Sequence, residues 1–329
     1  MLTLAVSSCS ERNLPSEEAI ARAGAFAAEV ETERVWSDVL ALVQAHREDT
    51  PLDCSRLNLP DPEPALFPGC HLTRDLARKR VRERFEALGF TVTTQDSPGP
   101  DFASSNIIAE LRGTERPGEV VLIGAHYDAF HSGADDNSSG VAAMLELARL
   151  VSGRKFARTV RFVGFDLEEM AITGSVRYLK ARPDENPMVA VIFDCIGFRD
   201  TRPNSQLGVP GFPVPTTGDF VAAIANEQSR PRLEELLALQ TRLKTLPVSG
   251  AVAPGSGPSP LAGDLLRSDH SAFWFAGRNA LFLTDTANLR NPNYHLDTDV
   301  PETLDPRFLA DVTRVTAAAL SYWAEGPLP

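Results

Sequence analysis

The stretch "GAHYDAFHSGADDNSSG", residues 124–140, sets two histidines and three aspartates among small residues, directly after the apolar run "VVLI" (120–123). Its Gly, Ala and Ser residues bring little side chain to fill a core. Two readings fit such a segment. It is a solvated turn, or it is one part of a metal site whose other ligands lie elsewhere in the chain.

Strand and helix signals alternate outward from it. "VVLIGAHYD" (120–128) begins apolar on both faces, as a strand inside a covered sheet does. "SGVAAMLELARLVSG" (139–153) reads as a helix with Ser139 as N-cap and Gly153 as stop. "FTVTTQ" (90–95), "NIIAEL" (106–111), "TVRFVGFD" (159–166), "MVAVIFD" (188–194) and "NALFLTD" (279–285) read as strands. "LARKRVRERFEALGF" (76–90) and the segment from about 306 to 324 read as helices. This alternation predicts an α/β fold with a mixed, mostly parallel central sheet and helices on both faces. Residues 17–48 have helical spacing, 50–72 are Pro-rich, and the Gly/Pro/Ser stretch 246–263 reads as a long loop. The expected organisation is an N-terminal helical extension with a Pro-rich loop (9–72), followed by a catalytic domain (73–329).

Ligands of open α/β sheets bind beyond the carboxyl ends of the strands. Those ends here carry His126 and Asp128, Asp166 with Glu168 and Glu169, and Asp194. Asp135 and Asp136 precede the helix at 139, and His295 follows the strand at 279–285 in "TANLRNPNYHLDTD". Zinc takes imidazole nitrogen and carboxylate oxygen. Two histidines with several carboxylates suit two ions about 3.5–4 Å apart that share a bridging carboxylate.

"GAHYD", "GADDNSSGVAAMLELA", "FDLEEMAITGS", "FDCIG", "SDHSAFW" and "NPNYHLDTD" resemble, in order, the motifs of the co-catalytic zinc aminopeptidases. That family includes bacterial leucyl aminopeptidases and aminopeptidases of the S and Y types, with glutaminyl cyclases as divergent relatives. The resemblance runs from about residue 74 to 325. It implies a zinc-exopeptidase, phosphorylase/hydrolase-like fold, two zinc ions and a peptide substrate. It assigns His126 and Asp194 to one zinc, Glu169 and His295 to the other, Asp136 to the bridge, and Glu168 to the general base. Asp128 would orient His126. Asp135 would be a turn carboxylate accepting backbone N–H groups, although a one-residue slip would exchange it with Asp136. Asp269 would be structural or line the substrate pocket, with His270 beside it. Tyr294 would assist the oxyanion or simply pack. His46 and His71 read as solvated, and His131 as a loop residue.

The chain has 329 residues, 43% of them hydrophobic, which suits a sizeable core. Its formal net charge of −12 argues against nucleic acid as a partner. Its four cysteines form no CxxC pair, so a thiolate zinc finger is excluded. Cys54 and Cys70 are candidates for a disulfide in an oxidising compartment, and Cys195 reads as a buried small hydrophobe. The start "MLTLAVSSC" resembles the end of a bacterial lipoprotein signal, with residues 1–8 as its remnant and Cys9 as the lipid-bearing residue. A frayed terminus is the plain alternative. The expectation is a cell-envelope or secreted metallo-aminopeptidase. A single-zinc glutaminyl cyclase and a non-catalytic binding module on the same fold are the rivals.

Overall fold

The computed structural model describes residues 15–52, 71–99, 102–208, 214–253 and 263–328, with Asp264 described by its backbone alone. The Cys54–Cys70 pairing and the lipid signal at Cys9 fall outside these residues.

The chain runs α1 (Glu17–Ala27), α2 (Thr32–Glu48), β1 (Leu72–Thr73), α3 (Asp75–Ala87), β2 (Val92–Ser97), β3 (Ser104–Leu111) and β4 (Arg116–His126). It continues through β5 (Ala129–Phe130), α4 (Gly140–Val151), β6 (Arg158–Phe165), α5 (Thr173–Lys180) and β7 (Val189–Phe193). It ends with β8 (Val221–Ala225), α6 (Arg230–Leu243), β9 (Val248–Val252), α7 (His270–Phe275), β10 (Ala280–Thr284) and α8 (Pro306–Ala324).

Eight strands form one mixed sheet in the order β2-β3-β6-β4-β7-β10-β8-β9. The central four, β6, β4, β7 and β10, run parallel, so their carboxyl ends share one edge. Strands β3 and β8 turn antiparallel on either flank. Both faces are covered, and the two-residue period of a strand divides β4 between two cores. Val121, Ile123 and Ala125 join the core beneath α4 and α8, while Val120 and Leu122 join the one beneath α5 and α7. Helix α4 is buried almost all round, which explains its run of apolar residues on every face. Helices α1 and α2 place Ala23, Phe26, Val35, Val39 and Leu42 in the same core as α4 and α8.

Several sequence expectations need correction. Helix α4 starts at Gly140 with Ser139 at its N-cap position, but the Ser139 side chain makes no capping bond. The Ser139 hydroxyl donates to the Asp135 carbonyl, and Asn137 Oδ1 accepts the Gly140 N–H at 3.1 Å. The stretch read as a loop from 246 contains β9, an edge strand paired parallel to β8. Strand β8 and helix α6 also escaped the sequence reading.

Candidate metal centre

The parallel strands deliver their ends to one place. Strand β4 ends in His126, β6 leads into Leu167, Glu168 and Glu169, and β7 leads into Asp194. Asp136 lies in the tight turn Ala134–Ser139 before α4, and His295 follows β10. Gly133 makes that turn possible. Its φ is +48°, and a Cβ there would stand 2.3 Å from Ala129 Cβ and 2.6 Å from the Asp136 carbonyl oxygen. Non-glycine residues in the left-handed region flank the ligand-type side chains: Leu167 before Glu168 (φ 54°), Cys195 after Asp194 (φ 53°) and His295 itself (φ 60°). Each costs on the order of 1–3 kcal/mol, a strain that clusters where a site over-determines the backbone.

The structure brings the predicted residues together. His126 Nε2 lies 3.3 Å from Asp136 Oδ1 and 3.7 Å from Asp194 Oδ2. His295 Nε2 lies 3.0 Å from Asp136 Oδ2 and 3.2 Å from Glu169 Oε2. Two ligand trios result, His126–Asp136–Asp194 and Asp136–Glu169–His295, with Asp136 common to both. Glu168 joins a further cluster with His126 and Glu169. All six side chains belong to residues no more than 8% exposed.

A metal fits this donor set. His126 Nε2, Asp136 Oδ2 and Glu169 Oε1 are buried without a hydrogen-bond partner, a costly condition unless a cation takes them. His126 Nδ1 lies 3.0 Å from the Asp128 carbonyl oxygen. A carbonyl only accepts, so Nδ1 carries the proton and Nε2 is left for a ligand. The Asp128 carboxylate accepts the N–H groups of Glu168 at 3.1 Å and Glu169 at 3.2 Å, so one residue orients three members of the cluster.

The charges are strongly coupled. Burial pushes the Glu168 carboxyl well above its ordinary range, reinforced by the charges of Glu169 and Asp194 against the pull of His126. Burial likewise pushes Glu169 up to about 7. Asp136 goes the other way: burial would raise it, but the close approach of His126 and His295 outweighs burial and holds it below the usual carboxylate range. Burial would lower both histidines. The Asp128, Asp136 and Asp194 carboxylates nevertheless raise His126, and Glu169 with Asp136 raises His295 to about 11.

Other predicted residues sit around this cluster. Asp135 faces away from it, accepting Gly197 N–H and Asn291 Nδ2 at 2.8 Å each. Asp166 is turned out of the site into a buried ion pair with Arg74 at 2.7 Å. Asp269 is fully buried within electrostatic reach of His126, and burial pushes its carboxyl up to about 7. His270 is packed away, stacked on Phe282 at 4.2 Å with Nε2 2.8 Å from the Leu265 carbonyl. Tyr294 stacks on His295 at 3.8 Å, and its hydroxyl accepts from Arg267 Nη2 at 3.1 Å. Asp194 and Tyr294 open onto a cleft with apolar walls that include Ala222, Ile224, Leu265 and Phe282.

Two features escaped the sequence reading. Asp299 clamps the turn that carries Asp136, accepting Asp135 N–H at 3.0 Å and Asp136 N–H at 3.1 Å. His46, read as solvated, is 3% exposed, with Nδ1 2.9 Å from Thr73 Oγ1. Its signal was present: Val35, Val39, Leu42 and His46 follow one another at helical spacing on the buried face of α2.

The model of peptidase family M28 matches residues 106–320. The chain belongs to peptidase family M28. It is 32% identical over 249 residues to YfbL of Escherichia coli, an uncharacterized protein, covering 70% of this chain and 75% of YfbL. It spans only 29% of the glutamate carboxypeptidase 2 homolog of Caenorhabditis elegans, at 29% identity over 67% of this chain. The LapA aminopeptidase of Legionella pneumophila superposes with a TM-score of 0.68 at 16% identity, over 99% of this chain and 80% of that one. A glutaminyl cyclase of Porphyromonas gingivalis superposes with a TM-score of 0.57 at 17% identity, over 90% and 98%. This M28 chain therefore shares its fold with both chemistries named for its neighbours.

Proposed function

We propose that this M28 peptidase is a dinuclear zinc aminopeptidase that removes N-terminal residues from peptides. The observation that carries the reading is the pair of ligand trios sharing Asp136, with a different oxygen of its carboxylate facing each histidine. His126, Asp136 and Asp194 would hold one ion, and Asp136, Glu169 and His295 the other. When bound, such a pair acidifies water and polarises the scissile carbonyl.

The chain's own groups supply the proton handling. Glu168 is the general base. Its raised proton affinity suits it to accept a proton from the attacking water and to deliver it to the nitrogen of the departing amine. The bond formed is water oxygen to carbonyl carbon, and the bond broken is the peptide C–N. Because Tyr294 Oη already accepts from Arg267, its own proton is left to donate to the carbonyl oxygen as negative charge develops there. Asp128 fixes the backbone at both Glu168 and Glu169, so base and ligand keep a constant relation. The apolar walls beyond Asp194 and Tyr294 would receive the side chain of the N-terminal residue and exclude water.

Metal analysis of the purified protein with hydrolysis of aminoacyl amides, before and after chelator, tests the proposal. Two zinc ions per chain and chelator-sensitive amide cleavage are expected. One zinc per chain with no amide cleavage would overturn it. The cyclase reading shares the fold, but a single-zinc enzyme has no use for the second trio. Ammonia release from Gln-initiated peptides without amide hydrolysis would favour the cyclase.

A further inference from the structure

We propose, on the metal centre assigned above, that His46 is a positioning residue for it: through the Thr73 hydroxyl it braces strand β5, whose flanking contacts support a histidine of each ligand trio. Helix α2 then belongs to the catalytic unit and is no mere extension of it. His46 stands on the buried stripe of α2, where a polar side chain is costly unless it is hydrogen-bonded. It is 3% exposed, as is Thr73. His46 Nδ1 lies 2.9 Å from Thr73 Oγ1, and that hydroxyl donates to the Ala129 carbonyl at 3.4 Å. With its hydrogen on Ala129, Thr73 Oγ1 accepts, so His46 Nδ1 carries the proton. Burial pulls the His46 ring down to about 4, against the Asp128 and Asp49 carboxylates. The ring is therefore neutral near neutral pH and contributes an N–H, not a charge.

The strand at the end of this relay cannot hold its own place. Strands β1 and β5 form a two-stranded sheet apart from the main one, with Thr73 opposite Ala129 and Leu72 opposite Phe130. A pair of two-residue strands has little stability by itself. Asp128, immediately before β5, carries the carbonyl that sets the His126 tautomer and the carboxylate that takes the Glu168 and Glu169 N–H groups. Phe130 sets its ring edge-on against His295, with centroids 5.0 Å apart. A displacement of β5 therefore reaches the general base and a histidine of each trio together.

The rest of α2 grips the same region. Arg47 Nε donates to Ser132 Oγ at 3.2 Å, and Asp49 Oδ2 accepts the Arg74 N–H at 3.0 Å. Val39, Leu42 and Val43 share a core with Ala134, at the head of the turn that bears Asp136. A hydrophobe at position 46 would hold α2 in place as well, but it would leave the Thr73 hydroxyl without the donor that aligns it with Ala129.

The test measures zinc affinity by competition with a chelator of known affinity in the wild type, His46→Leu, Thr73→Val, the double variant and His46→Asn. Leu and Val keep the apolar packing and remove one partner each. Each single variant should bind zinc about tenfold more weakly, as when a partner behind a metal ligand is lost. The double variant should lose no more than either single, because both break one relay. His46→Asn, whose amide N–H stands near the Nδ1 position, should recover most of the loss. Wild-type affinity in both single variants, losses that add in the double, or no recovery with Asn would each overturn the role. A lower melting temperature with unchanged zinc affinity would make His46 a packing residue only. If His46→Leu does not fold, Thr73→Val and His46→Asn decide the matter between them. A wild type that binds no zinc would overturn the metal centre and this role with it, an outcome distinct from wild-type binding that the variants leave unchanged.

Discussion

Asp299 holds Asp136 by its backbone: a carboxylate oxygen of Asp299 accepts the Asp136 N–H at 3.1 Å. The same carboxylate takes the Asp135 N–H, and the Asp299 carbonyl accepts the Ala134 N–H at 3.3 Å. The segment bearing His295 is thereby locked to the turn bearing Asp136. Replacing Asp299 with Ala removes the acceptor from two buried N–H groups, at about 1–3 kcal/mol each. Zinc affinity should fall roughly 10–100-fold, as it does when partners behind a metal ligand are lost. Competition with a chelator of known affinity would measure it. Unchanged affinity would show that the turn holds its shape unaided.

Glu168→Gln should preserve metal content and fold while lowering kcat by about 10²–10⁴, the usual contribution of a positioned general base. Metal analysis with amide hydrolysis on the same sample separates lost chemistry from lost metal. Retained activity would assign proton transfer to another group.

Tyr294→Phe removes the hydroxyl but keeps the ring stacked on His295. A drop in kcat of about 10²-fold with KM little changed is expected if the hydroxyl meets the developing oxyanion. If only KM moves, Tyr294 shapes the cleft without stabilising the transition state.

The stability of the metal-stripped protein should fall as pH rises. His295 is raised to about 11 from 6.5, so its contribution is complete below about 6.5 and is lost as pH climbs through 11. Glu169, raised to about 7 from 4.5, acts with the same sign: the unfolded chain loses this proton first, and stability declines between those values. Zinc must displace these protons, so its binding should release them and strengthen with pH. Melting curves of stripped and zinc-loaded protein across pH 6–9 should diverge, and titrations in buffers of different ionisation enthalpy count the protons. A stripped protein that gains stability with rising pH would contradict the assignment.

Arg74→Met should destabilise the fold by about 3–5 kcal/mol by leaving Asp166 buried and unpaired. Metal content should be unchanged, because Asp166 serves the fold although it stands at a strand end beside Glu168. Loss of zinc in this variant would reopen a ligand role for Asp166.

Much of this was legible in the residues. The parallel core followed from apolar runs such as Val120–Ile123 and Val189–Phe193, and the residues that converge stand at or just beyond strand ends. Asp299 and β9 escaped detection because neither shows a period. Asp299 is one acid among several in "HLDTD", and only tertiary contact shows which one turns back to the chain at Asp135 and Asp136. Strand β9 is a five-residue edge strand, "VSGAV", inside a Gly- and Pro-rich stretch, too short to display alternation. His46 was misread because a polar residue type was weighed above its position on the buried stripe of α2.

The junction between α2 and α3 has a consequence for how freely the chain can vary. Asp49 Oδ2 accepts the N–H groups of Arg74, Asp75 and Leu76, and the Leu52 N–H reaches the Leu72 carbonyl at 2.8 Å. Both stems of the intervening segment 53–70 are thus stapled together at its base. Position 49 should therefore tolerate few substitutions, because most would leave three N–H groups at the start of α3 without their shared acceptor.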